Sequence, residues 1–110
     1  MNATQTLITT EQIYDIVFKA LNTLNDELAE GSKVDVNVNT ALFGKDAQIE
    51  SLALVSLIVD VESELNATYN LAISLTDDRA MTRAVSPFTD VQSLKDYILE
   101  LAEEMSRVNH

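Results

Sequence analysis

Cysteine and tryptophan are absent from this 110-residue chain, which also has only two glycines, one proline and one histidine. Each shortage closes a route. Without cysteine there is no disulfide framework, no thiolate zinc site and no cysteine nucleophile, so any thiol chemistry must arrive on an added group. So few turn-formers suit helices better than a sheet of many short strands. The lone histidine, His110, lies at the C-terminus with neither a cysteine nor a second histidine to share a metal. No glycine-rich phosphate loop is present, and none of the eight serines has a histidine in a plausible triad context. Intrinsic enzymatic activity is therefore not expected.

Basic residues are scarce as well. Seven Lys and Arg stand against 18 Asp and Glu, a formal charge of −11. That density of negative charge repels phosphate backbones and anionic lipids, which argues against nucleic acid and membrane surfaces as partners. Its natural complements are basic patches on other proteins. Equally, an acidic surface can do no more than keep a small domain soluble.

The opening stretch MNATQTLITTEQ has neither a cationic region nor an apolar core of the signal-peptide kind. The longest uncharged apolar run, Leu52 to Val59, is far short of the roughly 20 residues that span a bilayer. The expectation is one cytoplasmic domain over residues 1–110, with an ordered core of about 10–106.

Periodicity supplies the elements. Thr9 and Gln12 form a capping-box pattern, followed by Ile13, Ile16, Val17, Ala20, Leu21, Leu24 and Leu28 at helical spacing. This predicts a first helix over 10–29, closed by Gly31. Val34, Val36 and Val38 alternate with polar residues. A lone strand would have no partner here, so 31–49 reads as a long extended loop, with Leu42 and Phe43 tucked into the core. A second helix starts at Ser51 or one residue earlier and runs to about Thr68. Leu54, Leu57, Ile58, Val61 and Leu65 share one face, and Leu52, Val55 and Val59 widen it into the arc of a helix contacted from several sides. Residues 76–83 suit a short third helix, and Ser86-Pro87 breaks it. Thr89 and Gln92 form a second capping-box pattern before Val91, Leu94, Ile98, Leu101, Ala102 and Met105. The fold class is all-α: three main helices, one short one, and a long first loop.

Asp35-x-Asn37-x-Asn39 matches the first three ligand positions of a calcium loop. The glycine position is Thr40 and the twelfth is Asp46, so the rest of that motif fails. The carboxylate pairs Glu62/Glu64, Asp77/Asp78 and Glu103/Glu104 fall where helices meet water, without the pocket that separates two pKa values for acid–base work. Ser51 is different. Serine is a favoured helix cap, and a helix N-terminus equally stabilises a phosphate ester. Spacing alone leaves both open.

At Glu50-Ser51-Leu52 the chain resembles the acyl carrier proteins, whose motif is Asp-Ser-Leu. Val55, Leu57, Ile58, Val59, Val61, Glu62 and Glu64 continue that resemblance along their second helix. Val91-Gln92-x-x-x-Asp96-Tyr97-Ile98 resembles the opening of their last helix. The resemblance covers about residues 10–105. It implies a monomeric four-helix carrier without catalytic residues of its own. It also implies covalent attachment of 4′-phosphopantetheine to Ser51 from coenzyme A by a phosphopantetheinyl transferase. Acyl groups, as in fatty-acid, lipid or secondary-metabolite biosynthesis, would ride on the arm's thiol as thioesters.

The partners so implied are the transferase and acyl-loading and acyl-using enzymes with basic docking patches. Glu50, Leu52, Leu54, Val55, Ser56 and Glu62 would meet them, while Leu57, Ile58, Val61 and Leu65 would line an acyl-chain pocket. Ala53 and Ser56 stand where the family carries acids, which points to a specialised, free-standing carrier with its own set of enzymes. The rival reading is a non-catalytic acidic helical adaptor in which Ser51 is only a cap.

Overall fold

A computed structural model describes residues 8–44, 47, 49–76 and 86–108, all referred to below as the described residues. They contain three α-helices: α1 (Thr10–Glu27), α2 (Ser51–Tyr69) and α3 (Val91–Val108). A 3-10 turn, Glu30–Ser32, lies between α1 and α2. Among the described residues no strand forms, and one isolated antiparallel bridge joins Ala41 to Asp90. The expected short helix over 76–83 lies almost wholly outside them.

α1 begins as the sequence predicts. The Thr9 hydroxyl accepts the Gln12 N–H at 3.1 Å, and the Gln12 side chain accepts the Thr9 N–H at 2.9 Å. Its end differs. Leu28, extended at φ −97° and ψ 152°, closes the helix by donating its N–H to Asn25, and Gly31 sits in the 3-10 turn beyond. The reason lies in Asn25. Its side-chain amide donates to the Val34 carbonyl and its oxygen accepts the Val34 N–H, both at 2.9 Å. This two-point tie folds the chain back along α1 before a glycine cap is reached.

α2 ends at Asn70, whose left-handed backbone (φ 57°, ψ 36°) suits asparagine better than most residues. Its N–H bonds the Asn66 and Leu65 carbonyls and turns the chain sharply. α3 is capped by Asp90, not by Thr89. Asp90 Oδ1 accepts the Ser93 N–H at 2.8 Å, and the Asp90 carbonyl takes the first helical bond from Leu94. The expected box between Thr89 and Gln92 does not form. Thr89 Oγ1 donates to the Ser86 carbonyl, and the Gln92 N–H is taken by Val38.

The core gathers the predicted stripes: Ile13, Val17 and Leu21 of α1, Leu57, Val61 and Leu65 of α2, and Val91, Leu94 and Ile98 of α3. Each such side chain withdrawn from water stabilises the fold by about 1.5–3 kcal/mol before entropy is counted. Tyr97 is the largest fully buried side chain. α1 packs broadly against both α2 and α3, so α1, not α2, is the middle helix of the described three. Two polar links reinforce these pairings. Lys19 of α1 faces Glu64 of α2 at 3.8 Å, and the Lys95 ammonium of α3 lies 5.7 Å from the Tyr14 ring centroid on α1. Lys95 also hydrogen-bonds Asp96, which raises its pKa against the opposing pull of partial burial. No helix is long and apolar enough to cross a membrane among the described residues.

Candidate functional site

The long connection is held at three places before it delivers the chain to α2. The Asn25 tie fixes Val34, which is buried. A polar turn follows, in which Asn37 Oδ1 accepts the Asn39 N–H at 2.8 Å and Thr40 Oγ1 accepts the Asn37 N–H at 2.9 Å. These bonds engage the residues of the partial calcium motif in local structure. Groups of three or more metal-binding side chains are absent among the described residues.

The connection then docks on the start of α3. Val91 and Gln92 donate their N–H groups to the Thr40 and Val38 carbonyls, and Leu42 donates to Thr89, each at 3.0 Å. The first N–H groups of any helix lack partners within it, so the loop satisfies two of α3's. Leu42 is fully buried here as expected. Phe43, expected beside it, is 56 % exposed. Consecutive residues in extended chain point to opposite sides, so seating Leu42 turns Phe43 outward. Gly44 follows at φ 109°, a backbone that side-chain-bearing residues rarely adopt.

Ser51 occupies the first helical position of α2. The residue in the cap position is Glu50, extended at φ −71° and ψ 155°, with its carbonyl accepting the Leu54 N–H at 2.9 Å. The Glu50 side chain makes no capping hydrogen bond. The helix starts at Ser51 as expected, and of the two roles left open for that serine the cap position falls one step earlier, at Glu50. By the geometry of a helix start, the N–H groups of Ser51, Leu52 and Ala53 lack acceptors within α2. The first turn carries no acidic residue, and Glu50 and Leu52 are exposed. The start of a helix suits a phosphate ester: its partial positive end favours an anion, and no first-turn carboxylate opposes one here.

α2 separates the remaining candidates. Leu57, Ile58, Val61 and Leu65 are 5 % exposed or less and face the core. Leu54, grouped with the exposed recognition residues from sequence, is also buried and belongs with that inner face. Leu52, Val55 and Val59 are 84 %, 56 % and 51 % exposed, so they do not widen the core face. Their outward direction follows from α1 being the middle helix: α2 has no second described helix packed broadly against its outer side. Ser56 is exposed alongside them.

Glu62 is engaged internally, accepting the Leu75 N–H at 2.6 Å. Glu64 accepts from Thr68 at 2.7 Å and pairs with Lys19. Glu103 and Glu104 also have partners, and Asp77, Asp78 and His110 lie outside the described residues. A cleft of about 370 Å³ runs between α1 and α2, with Ile16, Ala20, Lys19 and Glu64 among its lining residues. Another of about 390 Å³ lies between α2 and the segment that follows, bordered by Glu62, Asn66 and Ile73.

Sequence reasoning missed Asn25, the Asp90 cap and the Glu62–Leu75 link. Only Asp90 carried a usable signal, since aspartate is a favoured cap and it directly precedes an apolar helical run. Compared with protein-family models, curated proteins and solved structures, the chain finds no match.

Proposed function

We propose that this protein is a phosphopantetheine-dependent acyl carrier of a specialised biosynthetic pathway, with an acyl-carrier-like bundle and the arm on Ser51. The observation that carries the reading is Ser51 at the first position of α2, within Glu50-Ser51-Leu52. With Glu50 in the cap position, capping no longer accounts for a serine here, while the orphaned N–H groups favour an anionic adduct.

In the loading step the Ser51 hydroxyl oxygen bonds the pantetheine-side phosphorus of coenzyme A. The pyrophosphate bond breaks, adenosine bisphosphate leaves, and the hydroxyl proton passes to a base on the transferase. The arm then supplies the thiol that a cysteine-free chain lacks. Partner enzymes do all further chemistry, and the chain itself presents the cargo. The buried face of Leu57, Ile58, Val61 and Leu65 supports a role in sheltering an acyl chain, because it is continuous and apolar.

Incubation with coenzyme A and a broad-specificity phosphopantetheinyl transferase tests this by intact mass. The expected outcome is one added pantetheine phosphate on the wild type and none on Ser51→Ala. Equal addition to both, or to neither, rejects the assignment. The exposed strip of Leu52, Val55 and Val59 also suits the adaptor reading, which predicts instead that Ser51→Ala complements loss of the protein in its native host.

A further inference from the structure

The cleft of about 370 Å³ between α1 and α2 takes no part in the carrier reading. Its apolar side is Ile16 and Ala20 of α1, both nearly buried, with Ala67 of α2. Two alanines among these three leave the space unfilled. Its charges are Lys19 of α1 and the carboxylates of Asp60 and Glu64 on α2. Lys19 and Glu64 pair at 3.8 Å, beyond hydrogen-bond length, and the Lys19 side chain is 72 % exposed, so its ammonium keeps donors for another acceptor. The side chains of Asp60, Ser63 and Thr23, which also line the cleft, have no hydrogen bond or ion pair among the described residues. Glu64 follows Asp60 by one helical turn, which puts the Lys19 ammonium roughly 6 Å along α2 from Asp60. An open cation and an open anion thus stand one turn apart beside an apolar wall.

We propose that this cleft binds a short linear zwitterion, an ω-amino acid of roughly four to six carbons, with its ammonium on Asp60 and its carboxylate on Lys19. Charge selects the class. A simple anion meets the field of a chain that carries −11, and a simple cation finds competing carboxylates all over a chain that has 18 acidic residues. Only a molecule with both charges uses Lys19 and Asp60 together. Length selects within the class. The charges of an α-amino acid lie about 3 Å apart and reach one partner at a time. A longer chain spans both and lays its methylenes along Ile16, Ala20 and Ala67. The Ser63 and Thr23 hydroxyls can donate to the carboxylate and accept from the ammonium. Charges this exposed are screened by water, so the site is weak and sensitive to salt. The inference stands apart from the carrier reading, because neither the arm nor a partner enzyme enters it.

The test is a titration of the full chain with δ-aminovalerate, followed by amide chemical shifts in heteronuclear NMR. Valerate, pentylamine and norvaline, the α-amino acid of the same length, run in parallel. Expected are saturable shifts centred on Lys19, Ala20, Ser63 and Ala67, with a Kd of about 1–10 mM at low salt. Each of the three controls should bind at least about fivefold more weakly. Asp60→Asn and Lys19→Gln, both at exposed positions, should each lower the affinity for δ-aminovalerate about fivefold and keep a wild-type melting temperature. Ala67→Leu, also at an exposed position, fills the cleft without touching a charge and should abolish saturation.

The absence of saturable shifts at about 50 mM δ-aminovalerate overturns the proposal. So does pentylamine binding as tightly as δ-aminovalerate, which would mean that the acidic surface attracts any cation. Shifts spread over α3 as much as over the cleft overturn it too, as does an affinity unchanged in Asp60→Asn or Ala67→Leu. Loading of Ser51 is read separately by intact mass, and its failure would reject the carrier reading alone.

Discussion

The Glu62 carboxylate accepts the backbone N–H of Leu75 at 2.6 Å, joining the middle of α2 to a point thirteen residues further along the chain. Leu75 is fully buried. Its N–H has left water, and the carboxylate compensates that loss with a charge-assisted bond. The same bond holds the 71–76 segment against α2, where it forms one wall of the cleft bordered by Asn66 and Ile73. Glu62 thereby serves the fold through one of its two carboxylate oxygens.

Glu62→Ala leaves the Leu75 N–H without its acceptor. Bonds to charged groups contribute about 1.5–3 kcal/mol, and urea denaturation should show a loss of that order. Glu62→Gln keeps an acceptor of similar shape without the charge and should lose about half as much. Amide exchange at Leu75 should accelerate in the alanine variant more than exchange at Leu21, which sits deep in α1. Equal acceleration at both sites would mean global destabilisation without a local latch.

At the start of α3 two neighbours separate by role. Asp90→Ala removes the side chain that holds the Ser93 N–H and should cost about 1 kcal/mol. Gln92 is exposed, and its side chain has no part in a capping box. Gln92→Ala should therefore stay within about 0.5 kcal/mol of wild type. Thermal melts of the two variants side by side check the order, and a larger loss for Gln92→Ala would restore the capping box to α3.

The tie between Asn25 and Val34 makes a chemical prediction, because the asparagine amide both donates and accepts. Asn25→Asp keeps the acceptor and loses the donor, leaving the Val34 carbonyl short of a partner and placing a charge beside it. Asn25→Ala loses both. Each variant should be destabilised by about 1–3 kcal/mol, and a single-bond account would place aspartate near wild type. Denaturant midpoints with an unchanged slope distinguish the cases.

What the sequence made legible was burial that repeats. Ile13, Val17 and Leu21, or Val91, Leu94 and Ile98, recur with the helical period because one face of each helix is withdrawn from water. Links between a side chain and distant backbone leave no such trace. Nothing local to Asn25 names Val34, and nothing local to Glu62 names Leu75. Apolar character also does not state which way it faces. Leu52 and Leu54 are the same residue two positions apart, yet one is 84 % exposed and the other buried, and only the placement of α1 decides between them. The cap of α2 is hard to read for a simpler reason: Ser51 is a better capping residue than Glu50, and propensity points to the better residue instead of the one the chain places there.

That displacement separates stability from function at Ser51. A serine in the cap position loses about 1 kcal/mol on replacement by alanine. Ser51 stands one residue inside, where alanine is at least as good a helix former. Ser51→Ala should therefore unfold within about 0.5 kcal/mol of wild type while accepting no phosphopantetheine. Glu50→Asp should do the reverse. The shorter carboxylate can reach the N–H two or three residues on, filling a cap that the Glu50 side chain leaves unused. It should stabilise the protein by about 0.5–1 kcal/mol, and loading should continue because the tripeptide becomes Asp-Ser-Leu. Chemical denaturation and intact mass on the same two variants decide the matter. A Ser51→Ala loss near 1 kcal/mol, with no gain from Glu50→Asp, would return Ser51 to the cap.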